Sequence, residues 1–291
     1  MSDRPIAPLH VEVRGTGFPL LCLHGHPGSA ASLSVFTRHL SQRVRAIAPD
    51  LRGYGQSRYR GEFELGDSLL DLETLLDRLQ IRRCLVLGWS LGGILAMELA
   101  LRCPERVSGL ILVATSARPR SNHPPASWQD LAYTGIASLT NSLQPGSSWH
   151  IERFGKRSLY RYLIARHTAV AYRYLAREGI AAYLGTSGAA RRALGRALKQ
   201  GYDRLGDLDR ITCPSLVLAG ARDRHITPES SLETARRLPQ SQWRLYPDTA
   251  HLFPWEIPQQ VLGDIDRWLD DHPGVLIAKR APTDRPPTLE R

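Results

Sequence analysis

The pentapeptide GWSLG, residues 88–92, constrains the fold of this chain more than any other stretch. It lies between an apolar, strand-like run, Cys84 to Gly88, and a nearly all-apolar helical pattern, Leu91 to Leu101. The form G-x-S-x-G at such a junction places the serine on a sharp, strained turn, where glycines relieve the crowding. The hydroxyl then points at a helix N-terminus, whose unpaired N–H groups favour negative charge. We therefore expect Ser90 to be a nucleophile.

Apolar strand-like runs alternate with helical patterns on both sides of this motif, which is typical of a parallel α/β sheet. In one helix, Leu69, Leu72, Leu76 and Leu79 repeat at helical spacing. The predicted strands are Pro19 to Leu23, Val44 to Ala48, Cys84 to Gly88, Leu110 to Ala114, Ser215 to Ala219 and Gln242 to Tyr246. The predicted helices cover 30–40, 68–79, 91–101, 229–238 and 258–269.

The formal charge of +10 on 291 residues is concentrated in one segment. Between Ala117 and Leu205, 14 basic residues outnumber 4 acidic ones, so this segment alone carries +10. It also holds seven of the ten tyrosines and interrupts the alternating pattern. We expect an insertion at 117–205 in a core of 1–116 and 206–271. Residues 272–291, with four prolines and no periodicity, predict a frayed tail.

A serine hydroxyl needs a positioned base and a group that orients this base. Asp223 and His251 each follow a predicted strand downstream of Ser90. Because loops after the carboxyl ends of parallel strands converge on one crevice, we expect these three residues to meet there. Asp248 is the rival acid, but its position predicts a turn former, and His225 is the rival base.

The small-residue loop His24 to Ser29 follows the first predicted strand. We expect an oxyanion hole made by the backbone N–H groups of His26 and Leu91. His24 is expected to support the loop by hydrogen bonding. The side chain of His26 has two open interpretations, a structural role or a place in the cleft.

These motifs resemble those of the α/β-hydrolases. They are H-G-x-P-G at 24–28, D-x-R-G-x-G-x-S at 50–57, G-x-S-x-G at 88–92 and the downstream aspartate and histidine, and the resemblance extends from about residue 11 to 269. It implies an α/β-hydrolase fold, in which a mostly parallel twisted sheet is flanked by helices. It further implies that the insertion is a helical cap after the sixth strand.

The same resemblance assigns Asp50, Arg52 and Ser57 to a structural turn rather than to catalysis. The string around Ser90 is similar to that of carboxylesterases, including methyl esterases that act on carrier-bound acyl chains. This resemblance implies a serine hydrolase that cleaves a carboxylic ester or thioester through an acyl-enzyme, and Trp89 is a candidate substrate contact.

Other activities stay open. The loop H-G-H-P-G is similar to H-G-G-P-G of proline iminopeptidases, so an aminopeptidase is one alternative. A carbon–carbon bond hydrolase, a lyase with the same triad and a non-catalytic ligand receptor are others. A serine nucleophile disfavours dehalogenase and epoxide hydrolase chemistry, which need a carboxylate.

The insertion carries seven of the chain's aromatic residues that could line an acyl pocket or form a core: Trp128, Trp149, Tyr160, Tyr162, Tyr172, Tyr174 and Tyr183. Its arginines suggest a substrate with an anionic or carrier-linked end, against the alternative of a solvated helical face. Arginine and tyrosine interleave here without a known nucleic-acid module, so no nucleic-acid partner is expected.

No cofactor or metal is expected, because no histidine cluster has ligand spacing and no glycine-rich phosphate loop follows a strand. The four cysteines at 22, 84, 103 and 213 have no C-x-x-C pair and predict free, buried thiols. The first ten residues lack the apolar core of a signal peptide, which favours a cytoplasmic protein.

Overall fold

The computed structural model describes residues 6–277. This part of the chain forms a seven-stranded sheet of order β1-β3-β2-β4-β5-β6-β7, in which β1 is antiparallel to β3 and the other pairs are parallel. The strands are β1 Val11–Arg14, β2 Pro19–Leu23, β3 Arg45–Pro49, β4 Cys84–Trp89, β5 Val107–Val113, β6 Ser215–Gly220 and β7 Ser241–Tyr246.

Helices cover both faces of the sheet. The α-helices are α1 Ser34–Leu40, α2 Asp67–Arg78, α3 Leu91–Arg102, α4 Trp128–Leu143, α5 Ser148–Arg153, α6 Tyr160–Leu163, α7 Ala169–Tyr174, α8 Ile180–Leu184, α9 Gly188–Lys199, α10 Pro228–Arg237, α11 Phe253–Glu256 and α12 Pro258–Asp271. Short 3₁₀ helices are Ala30–Leu33, Pro104–Arg106, Gly155–Arg157, Leu205–Arg210 and Pro273–Leu276. A π-helical turn, Leu175–Gly179, joins α7 to α8.

Every strand and helix expected from the sequence is present, with ends shifted by at most three residues except where the helix expected at 30–40 begins as a 3₁₀ turn. The expected place of the insertion is wrong, because it follows the fifth strand and not the sixth. The reason is the number of strands that come before the insertion. Within residues 6–277 a single strand, β1, precedes β2 in the chain, so the strand before the insertion is the fifth.

Two cores lie on opposite faces of the sheet because strand side chains alternate. Leu21 and Leu23 face the core that α2 and α3 complete, while Leu20 and Cys22 face the core that holds α1 and α12. Each fully buried leucine contributes about 1.5–3 kcal/mol relative to an exposed one. The sheet is therefore a rigid support with both faces covered.

The inserted segment, residues 117–205, carries α4 to α9. Its two ends meet, because the N–H of Arg204 donates to the carbonyl of Ala117 at 2.9 Å. The segment thus leaves the sheet after β5 and returns to it before β6.

The expected tail begins too early. Pro273–Leu276 forms a 3₁₀ helix, and Val275 is buried against Gly109 of β5. Burial of the apolar Val275 side chain against β5 explains why this stretch is folded. Residues 278–291 of the expected tail lie outside the described residues. Among the helices of residues 6–277, none has the length and apolar character that crossing a bilayer requires.

Candidate active site

The order of the strands determines where the site forms. The chain fills one side of β2 with β3 and then crosses to place β4 on the other side, so β2 and β4 lie at the point where the winding direction reverses. Open α/β sheets have their crevice at the carboxyl edge of such a point. The loop after β2 and the turn after β4 therefore lie side by side.

Ser90 occupies the turn between β4 and α3. Its φ of 54° and ψ of −115° are strained for a residue with a side chain. The strain is held by hydrogen bonds, since the N–H of Ser90 donates to the carbonyl of Val113 at 2.9 Å and its carbonyl accepts from Thr115 Oγ1 at 2.7 Å. The predicted sharp turn is confirmed.

The glycines of the motif are required by close backbone contacts. A Cβ on Gly88 would lie 2.3 Å from the carbonyl oxygen of Gly92, and a Cβ on Gly92 would lie 2.0 Å from that of Leu23. Both distances are far below van der Waals contact, so only glycine fits at either position.

The loop after β2 packs directly against Ser90. A Cβ on Gly25 would lie 3.2 Å from Ser90 Cβ. His24 supports this loop as predicted, because its Nε2 accepts from the N–H of Leu51 at 3.0 Å and its Nδ1 lies 2.8 Å from the carbonyl oxygen of Gly25. Burial lowers the pKa of His24 to about 4, so the ring is neutral and donates from Nδ1.

Two backbone N–H groups lie beside the serine without a partner. Within residues 6–277, neither the N–H of His26 nor that of Leu91 donates a hydrogen bond. Leu91 is the first residue of α3, where the helix offers no acceptor. Such free donors can stabilise an anionic oxygen.

Asp223 and His251 meet as the sequence predicts. Asp223 Oδ2 accepts from His251 Nδ1 at 2.8 Å, and Oδ1 accepts from the N–H groups of His225 at 2.8 Å and Ile226 at 2.9 Å. The carboxylate is nearly fully buried. Because a carboxylate only accepts, Nδ1 is the nitrogen that donates here, and in the neutral tautomer this leaves Nε2 as the basic nitrogen.

His251 and Ser90 line the same cavity. Within residues 6–277 no hydrogen bond joins the Ser90 hydroxyl to the imidazole. The structure thus shows the contact between Asp223 and His251 directly, whereas Ser90 is related to His251 only through the cavity that both line. Catalytic hydrogen bonds often tighten only when the substrate is bound.

The two rival residues take other places. Asp248 adopts a positive φ of 54° in an exposed turn and pairs with Arg222, which agrees with the expected turn former. His225 lines the cavity, and its ring meets that of His251 edge to face at 4.7 Å between centroids. Burial, followed by the charge of His251, lowers the pKa of His225 to about 4. The acid's own loop thus brings a second imidazole to the site.

The cavity has a volume of about 590 Å³ and is lined mainly by apolar side chains. The core contributes Trp89, His26 and Trp255, while α4, α6 and α8 of the inserted segment contribute the opposite wall. Trp89 lies edge to face with Trp255. Its expected place at the substrate side is consistent with this lining.

The side chain of His26 satisfies both interpretations left open by the sequence. It lines the cavity, and its Nδ1 lies 2.8 Å from the hydroxyl of Tyr54. Burial lowers the pKa of His26 to about 4, and the positive charge of Arg191 acts in the same direction. The guanidinium of Arg191 lies 4.5 Å from the ring centroid of Tyr183, a residue of the cavity wall, so this charge is near the site.

The aromatic residues of the inserted segment do not share one role. Tyr160 and Tyr183 line the cavity, whereas Tyr172 is buried in the core. Trp128 and Trp149 are exposed and do neither. The sequence could not separate these cases, because they depend on which helix face turns inward.

Glu256 is a site residue that the sequence reasoning missed. This buried carboxylate accepts from the N–H of Ala250 at 2.8 Å through Oε1, and from the N–H groups of Ala165 at 3.1 Å and Arg166 at 2.5 Å through Oε2. Burial raises its pKa. It joins the inserted segment to the turn that carries His251, and a glutamate inside the apolar run FPWE was the available signal.

The D-x-R-G-x-G-x-S turn is structural, as the resemblance implies. Asp50 accepts from the N–H groups of Ala30 and Gln56 at 2.7 Å each, and Ser57 Oγ donates to the carbonyl of Asp50 at 2.7 Å. Arg52 forms a two-point ion pair with Asp71, both distances being 2.6 Å.

All four cysteines are free, but only Cys22 and Cys84 are fully buried. Cys103 and Cys213 are partly exposed, so the expectation of buried thiols is wrong for these two. Cys103 lies at the end of α3 and Cys213 lies shortly before β6, where each is only partly covered. In residues 6–277 no cluster of three or more histidine, cysteine or acidic side chains could hold a metal ion.

Taken together, the wound sheet, the strained serine turn and the buried carboxylate–imidazole pair define a hydrolase of the α/β class. The family model described as alpha/beta hydrolase fold matches residues 19–258, and the chain belongs to this family.

Curated relatives and solved structures place the chain near esterases. It is 30% identical over 272 residues to a pimeloyl-(acyl-carrier protein) methyl ester esterase of Nitrosomonas europaea, covering 90% of this chain and 99% of that protein. It is 33% identical over 150 residues to the enzyme of the same name from Aliivibrio fischeri, covering 50% and 54%. A thermophilic esterase from Thermogutta terrifontis superimposes with a TM-score of 0.63 at 28% identity, covering 90% of this chain and 93% of that one.

Proposed function

We propose that this chain hydrolyses carboxylic esters through an acyl-enzyme on Ser90, with His251 as general base and Asp223 as the group that orients it. The observation that carries the proposal is the Asp223–His251 pair, at 2.8 Å, beside a cavity that also contains the strained serine. The proposal requires the serine hydroxyl to come within hydrogen-bond reach of His251 Nε2 when the ester is bound.

Each proton in the proposed cycle has a donor and an acceptor. Ser90 Oγ attacks the ester carbonyl carbon while its proton moves to His251 Nε2. The resulting oxyanion accepts hydrogen bonds from the N–H groups of His26 and Leu91. As the carbon–oxygen bond of the leaving alcohol breaks, His251 returns the proton to that oxygen. Water then attacks the acyl-enzyme by the same steps in reverse and releases the acid.

The inserted segment acts as a cap in this proposal. Its wall of Leu131, Leu159 and Ile180 offers an acyl chain an apolar surface opposite Trp89. The described residues that line the cavity include no aspartate or glutamate. A free substrate ammonium group would find no carboxylate there, which favours the esterase over the aminopeptidase.

The first experiment tests the nucleophile without knowledge of the natural substrate. We expect an active-site-directed fluorophosphonate to label the wild type, and labelling to be lost in Ser90→Ala and in His251→Ala. Hydrolysis of p-nitrophenyl butyrate and octanoate should fall in parallel, by a factor of about 10⁴ or more. Equal labelling and equal turnover in Ser90→Ala would reject Ser90 as the nucleophile, whereas a wild type with neither labelling nor turnover would favour a ligand receptor.

A second step concerns the far end of the substrate. The relatives' names point to an acyl chain linked to a carrier protein, and Arg191 offers a cation close to the cavity. Its guanidinium lies over the ring of Tyr183, which lines the cavity, at 4.5 Å. We propose that the ester substrate has an anionic or carrier-linked end near this arginine.

The matched test uses two surface cations of α9. Arg191→Gln should raise KM about tenfold for a methyl ester with a distal carboxylate and leave KM for the neutral ester unchanged. Lys199→Gln, on the same helix, should change neither value. An unchanged KM for the anionic ester in Arg191→Gln would remove this part of the proposal, and a carrier-linked ester used alongside shows which end the enzyme prefers.

A further inference from the structure

Helix α4 has its polar face inward and its apolar face outward. The inward residues each have a partner in the inserted segment: Asp130 with Arg161 at 2.6 Å, Ser138 with the Tyr160 hydroxyl at 2.6 Å, and Asn141 with the Tyr172 carbonyl at 2.7 Å. Surface helices of globular proteins normally show the reverse arrangement. The polar side chains of α4 are therefore used within the molecule, and its outward side is left apolar.

We call this outward side the outer face of α4. It consists of five large apolar residues, listed with their exposed fractions: Trp128 75%, Leu131 60%, Ile136 43%, Leu139 64% and Leu143 75%. The helix is about 24 Å long, and its single charged residue, Asp130, is buried. Contiguous exposed apolar surface of this kind marks a site of contact.

The outer face continues into the rim of the cavity. Leu131 belongs to both, and Tyr183 and Leu184 of α8, which also line the cavity, are 56% and 76% exposed. An apolar molecule could thus pass from the outer face into the cavity along a continuous apolar path.

Cations lie on the elements that pack against α4. These elements are α5, the Gly155–Arg157 turn and the π-helical turn Leu175–Gly179, and the first two carry the cations considered next. Arg153 and Arg157 are exposed there, and no carboxylate of residues 6–277 pairs with either. Trp149 of α5 is 59% exposed beside them. Exposed tryptophan and leucine next to unpaired arginine is the composition of protein surfaces that rest on anionic bilayers.

We propose that the outer face of α4 docks on an anionic lipid surface and so presents the cavity to esters held in that surface. The docking stands on the observations above, whereas the presentation of esters rests on the proposed function. A second copy fits less well, because a two-fold contact would bring the same unpaired arginines of both copies together. A fluid surface also accepts protruding side chains without a matching groove.

The test measures binding without turnover. The Ser90→Ala chain is sedimented with sucrose-loaded vesicles. The vesicles consist of phosphatidylcholine alone or of phosphatidylcholine with about 30% phosphatidylglycerol by weight. We expect partitioning onto the anionic vesicles to be at least about tenfold stronger than onto the neutral ones. It should weaken at 0.5 M salt, because the Debye length falls from about 10 Å at 0.1 M to less than about 8 Å.

Two matched variants locate the contact. Trp128→Ser/Leu139→Ser/Leu143→Ser removes three residues of the outer face that do not line the cavity, and should weaken partitioning about tenfold or more. The control Ile6→Ser/Val13→Ser/Leu245→Ser removes three exposed apolar residues that lie outside the inserted segment. It should bind the vesicles as Ser90→Ala does. Circular dichroism confirms that both variants fold.

Three results would overturn the proposal. They are no sedimentation with either vesicle, equal sedimentation of the two triple variants, and a dimer by light scattering that becomes a monomer only when the outer face is changed. The last result would assign the face to a second copy. If an acidic carrier protein bound while neither vesicle did, the first result would assign the face to that carrier instead. None of these results depends on whether Ser90 is a nucleophile.

Discussion

Asp223 is held by more than its contact with histidine. Two backbone N–H groups fix one carboxylate oxygen, so that the other can face His251 only in one direction. The protein thereby fixes the tautomer and the orientation of the imidazole before any substrate arrives.

The substitution Asp223→Asn tests this role. The amide keeps the shape but can donate to Nδ1, which leaves the proton on the wrong nitrogen. We expect kcat for p-nitrophenyl butyrate to fall by a factor of about 10²–10⁴. The melting temperature should stay within a few degrees of the wild-type value. Asp248→Asn changes the rival carboxylate in its exposed turn and should keep kcat within about twofold. If both variants lost activity equally, the assignment of the acid would be wrong.

His225 makes stability depend on pH. Its folded pKa of about 4 lies below the ordinary value of about 6.5, so between these values the unfolded chain binds a proton that the folded chain does not. Its contribution to stability is therefore lost as the pH falls from 6.5 towards 4. Within residues 6–277 its ring makes no hydrogen bond, so leucine can replace it without leaving a buried polar partner.

We expect His225→Leu to lose less stability than the wild type between pH 7 and pH 5, by on the order of 1 kcal/mol. Urea unfolding at both pH values measures this difference. Parallel pH profiles for the two proteins would show that burial does not hold this imidazole neutral.

At the level of elements, two glycines in helices have opposite effects on stability. Gly92, the second residue of α3, lies against the backbone of β2, whereas Gly195 lies within α9 with no atom within 4 Å of an added Cβ. Gly92→Ala should therefore lower the free energy of unfolding by about 3 kcal/mol or more through overpacking. Gly195→Ala should raise it by about 0.5–1 kcal/mol through helix propensity. Thermal unfolding compares them directly, and a stable Gly92→Ala would contradict the tight contact.

The elements of the sheet could be predicted because their apolar runs are buried on both faces. β1 could not, because VEVR is a short edge strand whose side chains are partly exposed. The orientation of α4 could not be predicted either. Hydrophobic periodicity places the apolar side inward, and here the inward side is polar because Arg161, Tyr160 and Tyr172 provide partners.

At the scale of the molecule, one buried ion pair joins three segments. Asp71 of α2 binds Arg52 after β3 and also accepts from the N–H of Ala7 at 2.7 Å. Both charged side chains are 1% exposed. Removing one partner leaves a buried charge, which costs about 3–5 kcal/mol.

Asp71→Ala should therefore lower the free energy of unfolding by about that amount, 3–5 kcal/mol, without lowering kcat of the folded protein. The double variant Arg52→Met/Asp71→Leu should recover most of the loss, because it removes both charges together. Urea unfolding of the two variants gives the comparison. A loss below about 1 kcal/mol in Asp71→Ala would mean that water reaches the arginine.

Much of the candidate site could also be predicted, because strand ends in a wound sheet converge on one edge. This convergence predicts the contact of Asp223 with His251 and the place of Ser90 and His251 at one cavity. The cavity wall and Glu256 could not be predicted, since they depend on how the inserted segment folds over that edge. Sequence order gives no measure of that contact.

Glu256 has a mechanical consequence. It fastens residues 165 and 166 to the turn of His251, and the N–H of Leu252 donates to the carbonyl of Leu163 at 2.8 Å across the same seam. Any movement of the inserted segment at this corner would also move the imidazole of His251 relative to Ser90. We therefore expect ligands to enter the cavity at the exposed rim of Leu131 and Leu184, away from the corner that holds the proposed base.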